Sequence, residues 1–306
     1  MSVFVSCFEI FGPQISVLDP YVFQYGVSVP LPSPSTFAGA LAYAYATGSS
    51  KSFTYALNDL LDSVEKNPLC LSITVTIPPD SWLVKTRFIL RRNRFLDDDH
   101  IPKWEENKIS LGKKKWLVNP PPSFNYYYYY QRDLFDALYR EYIFVPKLIV
   151  FVVTDNENIN QIVKQYMPYV FRLGDTESLV ATKYIYNSEE PIPLQTVEKG
   201  GIVEHVNTLT AASRKDEVYL TPEGDYIVSH GMPIHALRRR EDGKYVSRQI
   251  HFFLCPLKIK QIRNRYQVYE PSEFVAKMNE KHYLIDVRIR GDMYRIVIPI
   301  KYFNDD

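Results

Sequence analysis

Between residues 69 and 77 apolar and polar positions alternate, so Leu71, Ile73, Val75 and Ile77 share one face of an extended strand. Residues 3–11 alternate poorly but are rich in strand formers, which predicts a buried strand ended by Gly12-Pro13. Residues 142–153 form a strongly apolar strand, and 82–90 and 178–186 read as two more. The pattern changes at 35–46, where alanines and Gly39 make a helix small enough to lie close to a sheet. Ser33 is placed to cap it, Pro34 to take its first position and Gly48 to stop it. Further helices are expected over about 52–65 and, briefly, over 131–141. A last one over 156–168 sets Ile159, Ile162, Val163 and Tyr166 on one face.

Up to about residue 188 the elements follow a β-α-β-β-α-β order, with a charged segment inserted over about 91–130. This predicts an α+β fold whose N-terminal domain, 1–190, is ferredoxin-like, the architecture of RNA-recognition motifs. After a junction at 187–193 the chain reads mainly as strands: 202–209, 225–228, 245–257, 266–269, 282–290 and 293–300. A mainly β C-terminal domain over 191–306 is therefore expected.

The chain has 306 residues, 46% of them hydrophobic, enough for two packed domains at roughly 150 residues each. No apolar run approaches the ~20 residues of a membrane span, and the N-terminus lacks the basic start of a secretory signal. Cys7, Cys70 and Cys255 are far apart in apolar stretches and read as core residues of a reducing cytoplasm. The six histidines show no metal-ligand spacing, and neither a P-loop nor a GxSxG is present, so no metal or cofactor is expected.

The net charge is only +1, but the basic residues cluster. One cluster runs from Lys85 to Lys115; another contains Arg238, Arg239, Arg240, Lys244, Arg248, Lys258, Lys260, Arg263 and Arg265. Two local positive fields on a neutral protein suit a polyanion, although two solvated faces account for them equally.

Three segments carry a resemblance. They are Pro30-Leu-Pro-Ser-Pro-Ser-Thr-Phe-Ala-Gly-Ala-Leu41, Arg140-Glu-Tyr-Ile-Phe-Val145 and Arg172-Leu-Gly-Asp-Thr-Glu-Ser-Leu-Val180. In this order and spacing the trio resembles the Cas-five family of CRISPR-associated proteins, within the repeat-associated RNA-binding superfamily. It is most similar to the archaeal type I-A branch. The resemblance covers about 1–190 and fades beyond. It implies a cytoplasmic, non-catalytic subunit of a Cascade-type interference complex that binds the 5′ handle of crRNA and caps one end of the complex. The implied partners are that handle and the backbone and large subunits, with target DNA a further candidate and no membrane. The insertion would be a thumb-like hairpin. The chain departs from the family in having one glycine, Gly174, where a glycine run is usual.

The candidate RNA-binding residues follow from chemistry. Gly174 can admit a phosphate against bare backbone amides, although a helix C-cap explains it equally. Arg172 and Lys183 can pair with phosphates; Asp175, Thr176 and Ser178 can reach 2′-hydroxyls or base edges. Ser33, Ser35 and Thr36 stand at a helix N-terminus, where free amides and the dipole favour an anion. Lys85, Arg87, Arg91 and Arg92 lie on or just beyond one strand, and Lys113, Lys114 and Lys115 adjoin Trp116, which can stack on a base. Tyr126 to Tyr130 fits core, surface or a protein partner better than RNA.

Metal-free RNA cleavage needs a base or acid beside a 2′-hydroxyl. Histidine is absent from residues 1–99, and His100 adjoins Asp97-Asp-Asp99. No enzymatic activity is expected. A crRNA-processing endoribonuclease and a protein–protein scaffold remain as alternatives.

Overall fold

A computed structural model describes residues 1–19, 27–62, 67–93, 104–105, 108–110, 116–118, 135–174, 178–214, 217–234, 238–239, 245–246, 250–263 and 266–301. The chain divides into two compact units. One comprises Met1–Phe23, Val27–Thr86 and Glu141–Asp306; the other comprises Gln24–Gly26 and Arg87–Arg140. The fold is α+β, with strands predominating. The first eight strands are β1 (Ser2–Ile15), β2 (Ser72–Thr76), β3 (Leu83–Asn93), β4 (Trp104–Glu105), β5 (Lys108–Ser110), β6 (Trp116–Val118), β7 (Phe135–Thr154) and β8 (Ala181–Asn187). Among the described residues the α-helices are α1 (Pro34–Ser49), α2 (Phe53–Asp62) and α3 (Glu157–Tyr166).

In the larger unit β1 is flanked by β7 and β8, both antiparallel to it. The sheet continues from β7 to β3 and then to the hairpin Leu257–Arg263 and Tyr266–Pro271, while β2 also pairs with β7. Leu148, Val150 and Val152 of β7 pack with Phe37 and Leu41 of α1, Leu57 and Leu60 of α2, and Ile159 and Val163 of α3. Their neighbours Ile149, Phe151 and Val153 face the other way, against Ile285, Val287, Tyr294 and Ile296. Burial on both faces is why this strand shows no apolar–polar alternation.

The second layer is the hairpin His282–Ile289 and Asp292–Pro299. Its turn residues, Arg290 and Gly291, both have positive φ, 54° and 101°, as the primed two-residue turn requires. Arginine seldom takes this conformation. Here its Nη1 sits 2.7 Å from Oε1 of the buried Glu9 on β1, which ties the turn to the sheet.

His282, in the same hairpin, is buried with Nδ1 2.9 Å from the Glu280 carbonyl. Burial holds its pKa below the ordinary histidine value, with the carbonyl contact acting in the opposite direction. As pH falls through about 6.5 the unfolded chain gains a proton that the folded protein resists, so stability is full above that pH and lost below it. The urea midpoint is expected to drop between about pH 7.5 and about pH 5.5, and by less in His282→Gln. An identical drop in the variant would assign the effect to another group.

Several expectations are corrected. Gly12-Pro13 does not end the first strand: β1 runs on to Ile15, absorbing register shifts around Gly12. Gly48 lies inside α1, which ends at Ser50 in the left-handed conformation. A Cβ on Gly48 would stand 2.6 Å from the Tyr166 ring, so this glycine permits helix contact rather than a stop. The short helix expected over 131–141 is absent from the described part, because 135–141 extend β7 beside β3, where a sheet ladder satisfies their backbone. The stretch 245–257 is three strands: Tyr245–Val246, His251–Cys255 and the start of Leu257–Arg263. Residues on both sides of position 190 share the larger unit, and Leu257–Arg263 and Tyr266–Pro271 extend the N-terminal sheet.

The smaller unit contains an antiparallel sheet of β4, β5 and β6. Among the described residues no helix is long and apolar enough to cross a membrane.

Candidate nucleic-acid interface

The start of α1 differs from a simple capped terminus. Ser33 is the N-cap, in extended conformation, and Pro34 follows it, but the serine side chain does not cap the helix. Its Oγ lies 3.0 Å from Ser35 Oγ and 3.2 Å from Thr36 Oγ1. The Ser35 N–H donates to the Met232 carbonyl at 3.1 Å, and the Thr36 N–H to the Ser33 carbonyl at 3.0 Å. The free amides expected for an anion at residues 35 and 36 are thus already used; this end of α1 presents hydroxyls.

The second component is the loop after α3. The Val180 N–H donates to the Phe171 carbonyl at 2.9 Å, the Leu173 N–H to the Ser178 carbonyl at 3.0 Å, and Arg172 bridges Leu179. Gly174 adopts φ +87° and bridges Ser16 at the end of β1. A Cβ there would fall 2.7 Å from the Ser16 carbonyl oxygen and 2.8 Å from Val17 Cγ2. The C-cap of α3 is Met167, so Gly174 is not that helix's cap. It serves a close backbone crossing.

Beneath the crossing lies a buried polar cluster. The Ser16 N–H donates to Ser178 Oγ at 2.9 Å, and the Ser16 hydroxyl to the Glu141 carbonyl at 3.3 Å. Ser28 donates its hydroxyl to the same carbonyl and its N–H to Glu141 Oε2 at 3.2 Å. That carboxylate, 6% exposed, is 2.8 Å from Lys85 Nζ, 15% exposed. Lys85 therefore neutralises a buried acid, and Ser178, fully buried, braces the loop; neither is placed to greet RNA as a sequence of bare candidates would have it.

Between α1 and this loop lies an open groove of about 310 Å³. One face of α1 lines it through Ser35, Thr36, Gly39, Ala40 and Tyr43, positions three and four apart. Phe53, Arg172 and Gly174 complete it. The Arg172 guanidinium stands 5.8 Å from the centre of the Phe171 ring, whose other ring neighbour is Tyr43, edge-on at 5.8 Å.

The groove thus gathers Ser35, Thr36, Arg172 and Gly174, with Ser33 behind them. Lys183 is exposed on β8 opposite Glu9 and does not line it. Arg87 is exposed on β3. Arg91 and Arg92 continue β3 and Trp116 begins β6, but their side chains fall outside the described residues, as do Lys113, Lys114, Lys115 and Thr176. The aromatic members, Tyr43 and Phe53, were not foreseen. A signal existed for Tyr43, since it falls on the α1 face opposite the apolar Phe37 and Leu41. Among the described residues no histidine lines the groove, and no cluster of three His, Cys, Asp or Glu side chains could hold a metal.

No family model matches this chain, and no curated protein matches it. Among solved structures it is similar to the crystal structure of a CRISPR protein from Archaeoglobus fulgidus, with a TM-score of 0.49 and 14% identity over 97% of this chain and 100% of that one.

Proposed function

We propose that this protein is a non-catalytic subunit of a Cascade-type CRISPR complex, which holds the 5′ handle of crRNA at the groove between α1 and the Gly174 loop. One observation carries the reading: residues from the first and third segments of the family-like trio, far apart in sequence, line one groove. The second segment supplies Glu141, which supports the loop from below. The proposal includes a ferredoxin-like N-terminal half. Its support is the strand order β3–β7–β1–β8, with helices between β1 and β2 and between β7 and β8.

In the proposed site Arg172 pairs with a phosphate, while Ser35 and Thr36 offer hydroxyls to the 2′-hydroxyls that distinguish RNA from DNA. The backbone and large subunits of the complex are the proposed protein partners. Cleavage is not part of the proposal, since hydroxyls and one guanidinium do not supply a base at neutral pH.

Binding of repeat-derived RNA, measured against salt without metal, tests the proposal. Tight, salt-sensitive binding of intact RNA is expected. Arg172→Ala should flatten the slope of log affinity against log salt by about 0.7, the value of one contact to a single strand. Lys183→Ala should do so only if the RNA extends across β8. Cleavage at one repeat position would identify a processing endoribonuclease instead, and no binding even with partner subunits would identify a scaffold.

A further inference from the structure

Building on the RNA reading above, we infer that the groove along α1 is a subsite for one unpaired nucleobase, held against Tyr43 and Phe53. It is not a track for successive phosphates. The chemistry of the groove changes along its length. The Ser35 and Thr36 hydroxyls stand at the first turn of α1, and Tyr43 lies eight residues on, about 12 Å along the axis. Between them Gly39 and Ala40 make a low floor, and a Cβ on Gly39 would meet nothing within 4 Å.

A phosphate track needs repeated cations, whereas Arg172 is the only lysine or arginine lining this groove among the described residues. Tyr43 and Phe53 are instead 46% and 44% exposed, and Phe171 beside them is 44% exposed. Rings left in water this way suit a partner with a flat apolar face and polar edges. A base stacks on such rings without regard to sequence. A volume of about 310 Å³ is at the small end of ligand pockets, the scale of one nucleotide rather than several. Arg172, set over the Phe171 ring, can meet the phosphate of that nucleotide while the sugar faces Ser35 and Thr36.

Gly39→Leu provides a test that does not depend on weakening the fold. The site is open, and leucine favours a helix interior more than glycine does. The probe is a set of repeat-derived RNAs, each with one abasic position, titrated against the full chain. In the wild type one position should lose about 10-fold in affinity when its base is removed, within the range of a base–aromatic stack. Gly39→Leu should lose a similar factor on intact RNA, lose nothing further at that position, and keep the wild-type salt slope. Tyr43→Ala combined with Phe53→Ala should behave alike.

An abasic profile unchanged by Gly39→Leu, with RNA still bound, overturns this subsite and leaves the broader RNA reading standing. Loss of complex assembly in Gly39→Leu with RNA affinity intact means that a protein occupies the groove, and also overturns it. Failure of the wild type to bind any repeat RNA overturns both.

Discussion

Glu141→Ala is expected to lower the unfolding free energy by about 3–5 kcal/mol, the cost of leaving one partner of a buried ion pair alone. Lys85 would lose its carboxylate at a site only 15% exposed, and the Ser28 N–H would lose its acceptor. The Ser16 and Ser28 hydroxyls would keep theirs, because they bond the Glu141 backbone carbonyl. Lys85→Ala with Glu141→Ala should therefore recover a large part of the loss. Chemical denaturation of the two single variants and the double variant measures this directly. If the single variant loses less than about 1 kcal/mol, or the double variant is no better than the sum, the pair is not coupled as described.

Gly174→Ala should be the second large effect, and Gly200→Ala separates its two causes. Both glycines have nearly the same φ, +87° and +84°. At Gly200 a Cβ meets nothing within 4 Å; at Gly174 it meets the Ser16 carbonyl oxygen at 2.7 Å. Gly200→Ala therefore measures the conformational penalty alone, about 1–2 kcal/mol. Gly174→Ala should cost more, because a backbone carbonyl cannot swing aside as a flexible side-chain end can. Either the loop lifts from β1 or the fold loses stability. In the first case RNA affinity falls with little change in the denaturation midpoint; in the second both fall. Equal midpoints for the two variants, with equal RNA affinity, would mean that the crossing at Ser16 does not constrain the loop.

How far these features can be read in advance depends on the range of the interaction behind them. Local sequence located Ser33 as the N-cap, Pro34 after it, the Asn156 start of α3 and its buried face of Ile159 and Val163. It also located the alternating residues of β2 and the apolar run of β7. Each rests on backbone geometry or on the period at which side chains return to one face, and both act over a few residues.

It misjudged Gly48 and residues 135–141 because the decisive partner was distant: the Tyr166 ring for one, the neighbouring β3 for the other. Sequence by itself set the α+β character, helices α1 and α3 and the groove members Ser35, Thr36, Arg172 and Gly174, because periodicity, capping residues and side-chain chemistry are read locally. Tertiary structure alone assigned Lys85 to Glu141, spent the Ser35 amide on Met232 and brought Tyr43 and Phe53 beside Arg172. A charge, an amide or a ring can use many partners, and only the closed chain determines which one comes within reach.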